Sequence, residues 1–190
     1  MITLIIVDCQ NDFITGTMSV KGAKNVVEEI KKFIKNHCKE IEKIIFVVDW
    51  HPYNHSSFKK YGGEWSHHCI QYTPGSCIEP KLLKLVQSLD IEYEVDKKGE
   101  IEEVEELGAF NEIEFVQDSL GRRYYFDSVV TTNSDSEFVI CGISNAVTGT
   151  INNMLSESIV PKVFMSGIIS NDNCKRFSEF VKINKLEKII

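Results

Sequence analysis

No two of the six cysteines stand as C-x-x-C, and Cys9, Cys38, Cys69, Cys77, Cys141 and Cys174 follow no small-scaffold spacing. That excludes a disulfide-stapled mini-protein and fits free thiols in a reducing compartment. Long apolar runs are also missing. The N-terminal one ends at Asp8, too short for a secretory signal or a membrane span, so a cytoplasmic chain without membrane contact is expected. Positive charge is in deficit, with 21 Lys and Arg against 28 Asp and Glu and a formal charge of -7. This argues against nucleic acid or an anionic membrane as partner. No repeat, low-complexity tract or linker divides the 190 residues, so one domain over residues 1–190 with a full core is expected.

What is present alternates between two patterns. Residues 2–7 (ITLIIV) and 44–48 (IIFVV) are short, β-branched and uncharged, which predicts buried parallel strands. Residues 23–38 carry Val26, Val27, Ile30, Phe33 and Ile34 at helical spacing, as a crossover helix requires. Pro80 opens a helix reaching Leu89, and residues 91–97 alternate as a strand. The acidic run 100–106 (EIEEVEE) reads as a solvated helix face. Residues 112–116 and 123–127 flank Ser119-Leu120-Gly121 and suggest a β-hairpin insertion within 111–136. Residues 137–141 read as a core strand with Gly142 starting its loop, and a helix follows from Ala146. Residues 161–165 predict another strand, Asp172 a helix cap, and 186–190 an edge strand. Strand and helix in alternation imply an α/β fold with a mostly parallel sheet covered on both faces.

Chemistry concentrates in residues 49–71, DWHPYNHSSFKKYGGEWSHHCIQ. Asp49 and His51 stand two apart at the carboxyl end of a predicted strand, where open α/β sheets place ligands. His67 or His68 could fold back to complete a carboxylate and two imidazoles. One oxygen and two nitrogens suit zinc, iron or manganese, and three protein ligands leave positions open for water or substrate.

This stretch resembles the metal-site motif of nicotinamidases, in the isochorismatase-like family of cysteine hydrolases: D-W-H-P, then H-x-S-F, then G-x-x-W-P-x-H-C-x-Q. It matches at Asp49, Trp50, His51, Pro52, His55, Ser57, Phe58, Gly62, Trp65, His68, Cys69 and Gln71, with Ser66 where the family has proline. The resemblance implies Asp49, His51 and His68 as ligands of one divalent metal, zinc first, with iron or manganese as alternatives. His67 is then a variable neighbour, and His55 either a fourth ligand or a hydrogen-bonding support. Residues 8–13, DCQNDF, match the family's opening D-x-Q-N-D-F. That implies Asp8 as the catalytic carboxylate, with Phe13 and Trp65 sandwiching the substrate ring. Lys98-Gly99, followed by Gly108-Ala109-Phe110, implies Lys98 as the catalytic lysine. An ammonium beside Asp8 would keep it ionised and stabilise negative charge on the substrate.

The resemblance weakens at the nucleophile. The family has C-V-x-x-T opening a helix; aligning Val147 and Thr150 to it puts Ala146 at the cysteine position, while counting without a gap from Gly142 puts Thr148 there. Cys141 lies within the preceding strand. The implied fold is a three-layer α/β/α sandwich, the isochorismatase-like hydrolase fold. The implied function is a metal-dependent amidohydrolase converting a small heteroaromatic amide to an acid and ammonia. Two alternatives stand beside it: an isochorismatase-type vinyl-ether hydrolase using Asp8, and a non-catalytic homologue binding a metal and a pyridine ligand. Homo-oligomeric assembly stays open.

Overall fold

A computed structural model describes residues 1–110, 116–117, 123–124, 136–143, 145–169 and 174–189. The chain begins with β1 (Ile2–Val7), a short helical turn α1 (Asn11–Ile14) and the helix α2 (Ala23–Asn36). There follow β2 (Ile41–Asp49), α3 (Pro80–Ser88) and β3 (Glu92–Lys98). Two-residue strands β4 (Val116–Gln117) and β5 (Arg123–Tyr124) pair antiparallel; the remainder of the expected hairpin lies outside the described residues. The chain closes with β6 (Glu137–Ile143), α4 (Ala146–Ser156), β7 (Lys162–Ile169), α5 (Lys175–Ile183) and β8 (Lys188–Ile189).

Six strands form one sheet in the order β3-β2-β1-β6-β7-β8, each neighbouring pair parallel. Leu4, Ile5, Ile6 and Val7 are wholly buried, as a central strand covered on both faces requires. The apolar stripe of α2 buries Val26, Val27, Ile30, Phe33 and Ile34, and Phe33 packs on Phe164 of β7 at 4.6 Å between ring centroids. In α3, Pro80 occupies the first turn and the Glu79 side chain accepts the Leu82 N–H at 2.6 Å. Helices and sheet form the three-layer α/β/α sandwich. Among the described residues no helix is long and apolar enough to cross a membrane.

The chain winds outward from β1 to β3, then returns to the other side of β1 and winds outward again through β6, β7 and β8. The order reverses between β1 and β6, which makes a crevice at their carboxyl ends. Register brings the ends level: Asp49 pairs with Lys98, and Val7 with both Val47 and Gly142.

Three local expectations differ. Gly142 lies inside β6 instead of starting a loop; at φ 143° it faces β1 so closely that a Cβ would stand 2.2 Å from the Val7 carbonyl oxygen. The final helix starts at Lys175 with Cys174 at its cap, and Asp172 lies outside the described residues. The acidic run 100–106 is not helical: it crosses the sheet's carboxyl end as irregular chain, burying Ile101 and Glu106.

Asp96 of β3 has its Oδ2 buried without a hydrogen-bond partner among the described residues. Burial, then the charges of Glu106, Glu94 and Glu100, push its carboxyl up to about 6. A native value above the unfolded value of about 3.9 means the folded state holds this proton more tightly. Stability is therefore lost as pH rises from about 4 through 6. Asp96→Asn should be more stable than wild type at pH 7.5, by up to about 3 kcal/mol, with the advantage vanishing near pH 4. Urea unfolding at the two pH values reads this; an equal difference at both would count against it.

Candidate active site

The first strand ends in a sharp turn. Asp8 adopts a left-handed φ of 56°, uncommon for any residue with a Cβ, and its side chain is almost wholly buried. It lines a cavity at the switch point together with Asp49, His51, His68, Lys98, Phe13, Trp65 and Ala146. The residues singled out in the sequence, from five separate segments, thus share one cavity.

At its centre is the Asp49 carboxylate. Its Oδ1 accepts a short hydrogen bond from the Lys98 ammonium, whose Nζ also lies 3.2 Å from Asp8 Oδ1. Its Oδ2 faces His51 Nε2 at 3.5 Å and His68 Nε2 at 3.3 Å. Burial alone would raise Asp49, but the Lys98 charge and the two imidazoles hold its carboxyl well below the usual range. Burial likewise works against the charged Lys98, yet Asp49 and Asp8 keep it well above the ordinary lysine value. His68 is opposed by burial and raised by Asp49.

Each imidazole is oriented from behind. His51 Nδ1 lies 3.1 Å from the Gly99 carbonyl and His68 Nδ1 2.7 Å from the Ser66 carbonyl. A carbonyl can only accept, so both Nδ1 atoms carry a proton, and each Nε2 is the nitrogen turned toward Asp49 Oδ2. Three acceptor atoms within 4.8 Å of one another, in buried residues, fit a cation. This Asp49, His51 and His68 group is the one metal-capable cluster found among the described residues. Gly99 is dictated by the same contact: at φ 68°, a Cβ there would stand 2.3 Å from His51 Cε1.

His67 and His55 stay outside the cluster. His67 packs against Phe58 at 4.6 Å and Tyr53 at 5.1 Å between centroids. His55 has both nitrogens engaged, Nε2 donating to the Val104 carbonyl at 3.0 Å and Nδ1 meeting Ser57 Oγ at 2.7 Å. Burial, then the neighbouring His51, pushes it down to about 4. It supports the site by stacking on His51 at 4.4 Å instead of ligating.

Several supporting residues escaped the sequence reading. Gln10 donates to the carbonyls of Asp49 (2.7 Å) and Ser76 (2.8 Å) and accepts the Asp49 N–H at 2.8 Å, so it clamps the backbone that carries the central carboxylate. Asp12 accepts the Cys69 N–H at 2.8 Å, fixing the residue after His68. Gly16 and Gly75 allow its approach, since a Cβ on either would stand within 2.2 Å of an Asp12 oxygen. Gln71 donates to the Trp50 carbonyl at 3.0 Å. Gln10 and Asp12 stand inside D-x-Q-N-D-F and Gln71 inside the second motif, so the signal was there without a role attached.

The cavity holds no thiol or hydroxyl nucleophile among its described lining residues. Ala146, the first residue of α4, faces it; Thr148 is half-buried and does not line it. Cys141 is wholly buried in β6, with its Sγ 3.6 Å from the Ile5 carbonyl. Burial pushes the thiols of Cys9, Cys69 and Cys141 up, away from reactive thiolate.

The isochorismatase domain family model matches residues 3–99. A nicotinamidase of Saccharomyces cerevisiae is 29% identical over 139 residues, covering 60% of this chain and 63% of that protein. Among solved structures, a pyrazinamidase of Pyrococcus horikoshii in complex with zinc superposes with a TM-score of 0.76 at 21% identity, over 99% of this chain and 98% of that one. The yeast nicotinamidase Pnc1p superposes at 0.78 with 20% identity, over 100% and 99%. At these identities the structural likeness is one of fold.

In the native protein, Ellman's reagent should titrate the exposed Cys77 quickly and reach Cys9, Cys69 and Cys141 only after guanidinium unfolding. A fast native thiol that disappears in Cys141→Ser would overturn the placement of Cys141 in the core.

Proposed function

We propose that this chain, which belongs to the isochorismatase family, is a metal-dependent amidohydrolase of nicotinamidase type. It would cleave a planar heteroaromatic carboxamide to the acid and ammonia. The observation that carries this reading is the shared cavity, in which an Asp8–Lys98–Asp49 ion cluster adjoins two oriented imidazoles and two aromatic rings. The relatives named above, nicotinamidases and a pyrazinamidase with zinc, support the same class.

Asp49 Oδ2 and the Nε2 atoms of His51 and His68 would hold the metal. A divalent cation held there, zinc our first choice, would supply Lewis acidity and a lowered pKa for water. The chain's own residues do the rest. Phe13 and Trp65 clasp the ring. Asp8 takes a proton from the attacking water and passes it to the amide nitrogen, so that the C–N bond breaks, ammonia leaves and the water oxygen completes the acid. The Lys98 ammonium keeps Asp8 ionised and offsets negative charge gathering on the carbonyl oxygen, helped by the backbone N–H groups in the first turn of α4. Ala146 has no atom that could form an acyl-enzyme, so water attacks directly, and turnover is slower than through a thiol.

One observation weighs against the vinyl-ether alternative. The described lining carries the carboxylates of Asp8, Asp49, Glu105 and Glu106 against the single ammonium of Lys98. Such a wall favours a neutral amide over an anionic vinyl ether.

The test is ammonia release from nicotinamide by zinc-loaded protein, with and without chelator. Turnover should be low but chelator-sensitive. It should fall a further 10²-fold or more in Asp8→Asn at unchanged metal content, and rise in Ala146→Cys. Zinc-loaded protein that binds nicotinamide without releasing ammonia, in wild type and in Ala146→Cys alike, would replace the hydrolase with a ligand binder.

A further inference from the structure

Glu106 stands out within its own sequence run. Glu102, Glu103 and Glu105 are exposed, as a solvated acidic stretch should be, whereas Glu106 is only 8% exposed and lines the cavity. Its Oε2 accepts the Gly99 N–H at 2.7 Å, a bond made in the interior. The same glycine presents its carbonyl to His51 Nδ1 at 3.1 Å. The preceding carbonyl, that of Lys98, accepts the Trp50 N–H at 2.9 Å. The Lys98-Gly99 turn is therefore held from both sides, and its own carbonyl sets the ring of His51.

We infer that Glu106 is a positioning residue for the metal centre, acting through the Gly99 peptide to fix the tautomer and aim of His51. Glu106 must be an acceptor long enough to reach the Gly99 amide; its negative charge is secondary. If the Gly99 N–H is left without a buried acceptor, the glycine, free to rotate at positive φ, swings its carbonyl away from Nδ1. His51 Nε2 then no longer stays directed at Asp49 Oδ2. Outer partners of a ligating histidine are commonly worth 10–100-fold in metal affinity.

The inference rests on the metal reading above in its first readout and is independent of it in its second. Zinc affinity of the full chain, measured by competition with a chromophoric chelator, should fall about tenfold or more in Glu106→Ala. Glu106→Gln, which keeps an acceptor of the same reach without charge, should stay within about twofold of wild type. Glu106→Asp, which keeps the charge but is one methylene short, should resemble Glu106→Ala. Separately, ¹⁵N spectra of the metal-free protein should find His51 in the Nδ1–H tautomer in wild type and Glu106→Gln, and in mixed tautomers in the Ala and Asp variants. Wild-type affinity and tautomer in both the Ala and Asp variants would overturn the proposal, as would a Gln variant as impaired as Ala. If wild type takes up no zinc, the hydrolase reading fails, while the imidazole spectrum still decides the role of Glu106.

Discussion

A buried carboxylate shared between an ammonium and two imidazoles is the constraint on which this molecule turns. Asp49 is almost wholly removed from water, and an isolated charge there would cost several kcal/mol. The cost is met by dividing the carboxylate. Oδ1 goes to Lys98, itself bridged to Asp8, while Oδ2 faces His51 and His68. The ammonium is a point charge that answers one oxygen, while the two imidazoles, whose far nitrogens are bound to carbonyls, turn their Nε2 atoms to the other. Oδ1 is taken up by Lys98, so the three atoms that could hold a metal ion meet at Oδ2.

The sheet makes that division repeatable. Parallel register sets Asp49 beside Lys98 across β2 and β3, and the switch point sets Asp8 and the start of α4 on the other side. Side-chain clamps then remove the remaining freedom. Gln10 makes three hydrogen bonds spanning the Asp49 backbone and Ser76, and Asp12 ties down the turn after His68. Most of these polar groups bond backbone instead of each other, so the loops at the carboxyl end are pinned at their peptides, and the side chains of His51 and His68 inherit their direction from pinned peptides.

How much of this was legible in the sequence follows from the kind of signal each residue leaves. Asp8 and Asp49 could be placed because each ends an apolar run, and a strand's carboxyl end is a position that periodicity reveals; Lys98 follows an alternating, charged strand and needed the family resemblance. His51 follows by alternation. Choosing His68 over His67 needed the motif, since two adjacent histidines in a loop carry no period; in the structure His67 instead stacks on Phe58. Glu106 was illegible: in an acidic run each glutamate resembles the next, and the buried one is identified only by where the Gly99 amide falls. The run was read as a helix from its composition, but in the structure it is irregular chain whose last glutamate meets that amide. Gly142 was misread for a related reason. Glycine usually marks a loop, while here it permits two central strands to approach within a distance no Cβ would tolerate.

The remaining tension is between a complete acid–base and cation-binding constellation and the alanine at the first turn of α4. A helix N-terminus facing a cavity stabilises negative charge whichever residue occupies its first position, because the field comes from backbone N–H groups. Replacing a thiol by a methyl group thus removes the covalent route but leaves the wall that would receive the developing oxyanion. It also leaves room, since the small Ala146 side chain borders the same space as Asp8 and Lys98. A water molecule occupying that space would lie beside the Asp8 carboxylate, whose Oδ1 is 3.2 Å from the Lys98 ammonium, the position a general base acting on water instead of on a cysteine requires. On the hydrolase reading proposed above, the alanine calls for an attacking group brought in from solvent. In the proposed hydrolase, Asp8 as proton carrier with Lys98 as its charge partner would then matter more to turnover than any residue of α4.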